Sequence, residues 1–135
     1  MIFLDSAAIV KMIRREVESA ALEAWLGNQE DKELVASSLV LTEVPRALRR
    51  SDPGRLAAVP TVLARLDRVP VDDTVLATAA AYSDPMLRTL DAIHLATAQS
   101  LVLEGISLTA LVTYDKRLLA AADDVGLPTA APGAS

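Results

Sequence analysis

Cysteine is absent from the 135 residues. That removes a disulfide framework, a thiolate metal site and a cysteine nucleophile, and it suits the cytoplasm. Aromatic residues make up only 3% of the chain and histidine occurs once. Recognition of bases by rows of stacking side chains is therefore poorly supported. No apolar run approaches the roughly 18 residues of a membrane span, so no membrane role is expected. The opening MIFLDSAAIVK carries an acid at its fifth position, and it reads as neither a signal nor a transit peptide. Positive charge is in deficit, with 13 Lys and Arg against 18 Asp and Glu and a net charge of −5. On that count alone a nucleic-acid binder is disfavoured. The objection weakens if several of the acids surround a cation in one pocket.

What is abundant is aliphatic. Apolar residues reach 52%, more than one domain of this size needs to bury. The excess points to a partner or self-association surface, or to alanine used as helix filler. Residues 2–4, IFL, read as a strand ending at Asp5. Ser6 is placed to cap one long helix, AAIVKMIRREVESAALEAWL. ELVAS at 33–37 reads as a second strand, followed by the helix LVLTEVPRALRR with a kink near Pro45. SDPG at 51–54 reads as a turn, and RLAAVPTVLARLD as a helix interrupted by Pro60. VPV at 69–71 reads as a short strand. Asp72 or Asp73 caps a helix that runs to Tyr82. A further helix carries Asp91 and ends near Glu104. ALVTYD at 110–115 reads as a strand, KRLLAAADDV as a helix closed by Gly126, and LPTA as a last edge strand. No repeat or linker interrupts residues 1–130, which read as a single domain, and 131–135 as a frayed tail. Short apolar strands alternating with helices predict an α/β fold with a mostly parallel sheet covered on both faces.

Asp91 is the anomaly in this pattern. Each residue turns a helix by about 100°, so Leu87, Leu95, Ala98 and Val102 share its stripe. His94 lies beside them, while Thr97, Ser100 and Glu104 point away. A carboxylate on a core-facing stripe costs several kcal/mol unless something stabilises it. Ligands of parallel α/β sheets bind beyond the carboxyl ends of the strands. Asp5 follows the first strand, Asp115 ends a later one, and Glu43 sits about one turn into the helix after the second. Four acids from four segments thus converge on one rim. They need either shared protons and raised pKa values or a divalent cation, and all-oxygen ligands favour Mg²⁺ or Mn²⁺ over Zn²⁺. Each acid alone also has a plain structural reading: Asp5 as a helix cap, Asp115 as a turn residue, Glu43 as solvated, Asp91 as Arg-paired.

The stretches FLDSAAIVK, SSLVLTEVPRAL, LRTLDAIHLATA and VTYDKRLL, in this order and at these separations, resemble the PIN-domain ribonucleases, specifically VapC toxins of bacterial toxin–antitoxin pairs. The resemblance runs from residue 2 to about 130. It implies a PIN-like three-layer α/β/α sandwich with a mostly parallel sheet of about five strands. It implies a Mg²⁺- or Mn²⁺-dependent endoribonuclease of the cytoplasm, hydrolysing RNA phosphodiester bonds. Asp5, Glu43, Asp91 and Asp115 match the family's acidic quartet. Asp5, Asp91 and Asp115 are expected on the metal, with Glu43 ligating it or positioning water. Ser6 and Thr113 match small hydroxyl positions supporting the site, and Arg88 matches a residue near its entrance. A cognate VapB-type antitoxin and a homodimer are implied as well. The acidic net charge departs from many relatives.

The remaining residues carry weaker expectations. Lys11, Arg14 and Arg15 share one helical face and are, with Arg88, candidates to contact RNA or antitoxin, with Arg46, Arg49 and Arg50 adding to the field. His94 reads as a packed, hydrogen-bonded core residue rather than a general base. A receiver domain would need an acidic pair after the first strand, where LDSAA offers a single acid, and a lysine where Asp115 stands. A haloacid dehalogenase-type phosphatase would need a second acid where Ala7 stands. A rival of another class is a silent binding module. It would hold a partner helix in an apolar groove of Val40, Val44, Leu48, Leu56, Val59 and Leu63.

Overall fold

A computed structural model describes residues 1–135. Five short strands, β1 (Ile2–Leu4), β2 (Leu34–Ser37), β3 (Leu66–Val69), β4 (Ala110–Val112) and β5 (Thr129–Ala130), form one sheet in the order β3-β2-β1-β4-β5. Every neighbouring pair is parallel. Seven helices connect them: α1 (Ser6–Ile13), α2 (Ser19–Asn28), α3 (Val40–Ser51), α4 (Val59–Leu63), α5 (Asp73–Ala81), α6 (Thr89–Leu103) and α7 (Lys116–Asp124).

The strands are apolar on both faces because both faces are covered. Alternation along β1 shows the division. Ile2 and Leu4 pack with α1, α2, α3 and α4, while Phe3 packs with α6 and α7. A smaller cluster of Val75, Ile93 and Ala96 fastens α5 to α6. The result is the expected three-layer α/β/α sandwich.

Several local expectations are corrected. The first predicted helix is two, α1 and α2, because residue 14 turns extended and the intervening segment is tied down. The buried Ser19 hydroxyl donates to the Lys11 carbonyl at 2.7 Å and accepts from the Glu16 amide at 2.9 Å. The α1 cap is Asp5, not Ser6: its carboxylate accepts from the Ala8 amide at 2.9 Å. Residues 53–58 wind as a 3₁₀ helix before α4, so the break falls before Pro60, which sits in the first turn of α4. The third strand is LDRV rather than VPV. Pro70 has no N–H to give the ladder, and the edge position lets Asp67 and Arg68 face solvent, which masks the apolar signature.

The largest revision concerns α6. It has no single core stripe: residues 92–98 are all buried, Thr97 among them, and the Thr97 hydroxyl donates to its own helix at Ile93. The helix is wedged between the sheet, α5 and α7, and Val102, expected on the stripe, is exposed. The apolar groove proposed for a binding module does not exist as a surface. Val40, Val44, Leu48, Val59 and Leu63 are buried in the core, with Leu56 partly buried against them. No helix is long and apolar enough to cross a membrane.

Candidate active site

The chain reverses its direction of travel across the sheet at β1, which pairs with β2 on one side and β4 on the other. Such a switch point opens a crevice beyond the carboxyl ends of the strands. Here the crevice measures about 490 Å³ and is lined by Asp5, Ser6, Glu43, Arg88, Asp91, His94 and Asp115, with Thr42, Arg46, Arg50 and Leu90 at its walls. The four sequence-predicted acids therefore share one cavity. Ser6 lines it with them, and Thr113 lies directly beneath.

Asp5 is the deepest of the acids, only 3% exposed. One carboxylate oxygen accepts from the Ala8 amide and the other from the Thr113 hydroxyl at 2.5 Å. Burial pushes its pKa up, and those two hydrogen bonds oppose the rise without cancelling it. Asp91 and Asp115 are held together by one guanidinium. Arg88 Nε donates to Asp91 at 3.3 Å and Arg88 Nη2 to Asp115 at 3.0 Å. Burial raises the Asp91 pKa, the Asp115 charge adds to the rise, and Arg88 offsets part of it. Asp115 also caps α7, accepting from the amides of residues 117 and 118. The structural readings of Asp5 as a cap and of Asp91 as Arg-paired are thus true, Asp115 is a helix cap where a turn residue was expected, and all three border the crevice.

Glu43 belongs to a different network. Its Oε1 accepts from the Ser6 hydroxyl at 2.8 Å and lies 2.6 Å from His94 Nε2. Burial works to raise its pKa, yet the hydrogen bond and charge of His94, with Ser6, hold it below the usual glutamate range. His94 is buried as expected, but it is not only a core residue. It follows Asp91 by three positions on α6, so the two share a face, and it orients Glu43 from α3. That i, i+3 spacing was the signal for its place in the site. His94 Nε2 faces a carboxylate oxygen, which can only accept, so the proton between them is on Nε2, while Nδ1 is buried without a hydrogen-bond partner.

The basic residues divide differently from expectation. Lys11 pairs with Glu16 and Glu18, Arg14 with Glu16, and Arg15 with Glu23. Lys11 also lies over the Tyr114 ring at 4.8 Å. None of the three lines the crevice, whereas Arg46 and Arg50 do.

The donor set suits a hard divalent cation in chemistry: all oxygen, mutually repelling, and already sharing one cation, the Arg88 guanidinium. As they stand, no three Asp, Glu or His side chains gather closely enough to enclose an ion. Mg²⁺ does not require such a cage, since it is commonly held by one or two carboxylates and retains several waters. Asp91 and Asp115, with Asp5 behind them, fit that mode.

The sequence pattern of the PIN domain family matches residues 2–124. The chain is 52% identical over 133 residues to Ribonuclease VapC35 of Mycobacterium tuberculosis, covering 98% of each. In backbone it is similar to Mycobacterium tuberculosis VapC20, a Sarcin-Ricin loop cleaving toxin, with a TM-score of 0.72 at 16% identity over 98% of this chain and 100% of that one. It is also similar to a chain of a toxin-antitoxin complex from Klebsiella pneumoniae, with a TM-score of 0.65 at 20% identity over 89% and 91% of the two chains. At these identities the two structural likenesses speak to the fold.

Proposed function

The chain belongs to the PIN domain family, and from that membership we propose that it is an endoribonuclease toxin of the VapC type, hydrolysing RNA phosphodiester bonds and restrained by a cognate VapB-type antitoxin. The observation that carries the reading is the Arg88 bridge. Two carboxylates that lie 24 positions apart in sequence share one cation at the mouth of a crevice whose floor is a third, buried carboxylate.

Asp91 and Asp115 are the residues that would hold Mg²⁺ or Mn²⁺, with Asp5 behind them. The ion would supply charge neutralisation at the scissile phosphate and a more acidic water. The protein's own part falls to Glu43 and its supports. Ser6 and His94 both engage Oε1, which keeps Glu43 ionised at neutral pH and leaves Oε2 without a protein partner. Glu43 is thereby placed to take a proton from water as that water adds to phosphorus in line. The bond to the ribose 3′ oxygen breaks, that oxygen takes a proton from solvent water while Glu43 returns its own to solvent, and the products are a 5′ phosphate and a 3′ hydroxyl. No protein nucleophile is needed.

Cleavage of cellular RNA, followed on gels with titrated Mn²⁺ and with EDTA, tests the proposal. Asp91→Asn is expected to abolish metal-dependent cleavage. Glu43→Gln is expected to lose about 10²–10⁴-fold, the usual worth of a general base. Full activity in Asp91→Asn, or cleavage indifferent to EDTA, would end it. The antitoxin is the product expected from the neighbouring reading frame, and it should copurify with the chain and suppress that cleavage.

A further inference from the structure

Resting on the nuclease reading, we infer that Arg46 and Arg50 of α3 form a two-phosphate track that grips the RNA strand to one side of the bond being cut. Both residues line the acidic crevice, both are exposed, and neither has a carboxylate partner. The contrast with Arg14, Arg15 and Arg88, all ion-paired, is direct. Glu43, three residues before Arg46 on α3, hydrogen-bonds Ser6 and His94 through Oε1 and makes no ion pair with Arg46.

Spacing supports an extended ligand rather than a single anion. Arg46 and Arg50 are four residues apart and so lie on one face. Measured from Glu43, they sit about 4.5 Å and about 10 Å further along α3 at 1.5 Å per residue. The two cations therefore continue the line of the crevice away from the reacting phosphate, where the next phosphates of a bound strand would pass. A chain with a net charge of −5 has no general field to attract RNA, so local unpaired arginines have to supply the attraction. Arg49 neighbours both residues in sequence and is likewise exposed without an ion pair, yet it does not line the crevice. It carries the same charge on the same helix and serves as the internal control.

The test is the salt dependence of binding. A fluorescein-labelled single-stranded RNA of mixed sequence, about a dozen nucleotides long, is titrated in EDTA, so that nothing is cleaved, over a series of KCl concentrations. Each single-strand phosphate contact adds about −0.7 to the slope of log K against log salt. Arg46→Gln and Arg50→Gln are each expected to reduce the slope by about 0.7, and the double variant by about 1.4, while Arg49→Gln leaves it unchanged. Three equal reductions would mean diffuse electrostatics and overturn the track. Unchanged slopes in both crevice variants, or no salt-dependent binding by the unmodified protein, would overturn it too. Cleavage of cellular RNA by the unmodified protein in Mn²⁺ is read separately, so loss of the nuclease reading is distinguishable from loss of the track.

Discussion

At the scale of the residue, the site is built from groups that do two jobs. Asp5 caps α1 and floors the crevice; Asp115 caps α7 and shares Arg88 with Asp91. The double duty has a cost that can be measured at Asp5. Its pKa is raised in the folded chain, chiefly by burial. A carboxyl with a raised folded pKa contributes fully below its unfolded value, near about 3.9, and loses that contribution as pH rises through the folded value. At neutral pH, without divalent cations, the buried Asp5 carboxyl is a liability. Asp5→Asn keeps an acceptor for the Ala8 amide and removes the charge. Thermal melts in EDTA at pH 7 should show it more stable by a few degrees, since about 1 kcal/mol moves a domain of this size by roughly 3–5 °C. The gain should shrink on acidification towards pH of about 4. A variant that is less stable at pH 7, or a gain that grows in acid, would contradict this account. Glu43 has the opposite sign, its folded pKa being lowered, so its contribution is lost as pH falls.

At the scale of the element, α6 decides most. It carries Asp91 and His94 on one turn, and it packs between the sheet, α5 and α7. Leu95 is fully buried one residue beyond His94. Leu95→Ala should cost about 2–5 kcal/mol, the range for truncating a buried leucine, and urea denaturation would measure it. A cost under about 1 kcal/mol would show that the helix is less tightly held than its burial implies. The reading of α6 as an amphipathic helix was wrong because burial on nearly all sides leaves no polar face to give a 3.6-residue rhythm. Its small residues, Ala92, Ala96 and Ala98, are what let neighbours approach from every direction. The α1–α2 break escaped the sequence for the opposite reason. Residues 14–18 carry no Pro or Gly, and the chain turns there because the Ser19 hydroxyl and the Lys11 ion pairs hold it.

At the scale of the whole molecule, the apolar excess is mostly accounted for by two cores, one on each face of the sheet. Part of it remains outside: Leu76 on α5 and Leu103 on α6 are 44% and 79% exposed. The resemblance to VapC toxins also implies a homodimer. Light scattering of the isolated chain should return twice the chain mass, and a monomer at all micromolar concentrations would remove the dimer from the proposal. Strand and helix alternation, the positions of most elements and the four acids were legible in the residues themselves, because strand-end position and helical spacing are local properties of the chain. So was the parallel α/β class, which follows from buried strands separated by helices. Which cation meets which acid was not legible. Lys11, Arg14 and Arg15, candidates to contact RNA or antitoxin, are ion-paired away from the crevice, while Arg46 and Arg50, expected to add to their field, border it. His94 looked like packing and orients Glu43 across 51 residues. Those partnerships depend on how α3, α6 and the loops beyond β1 and β4 are brought together, and distances across such separations are set by packing of the two cores, which no local pattern encodes.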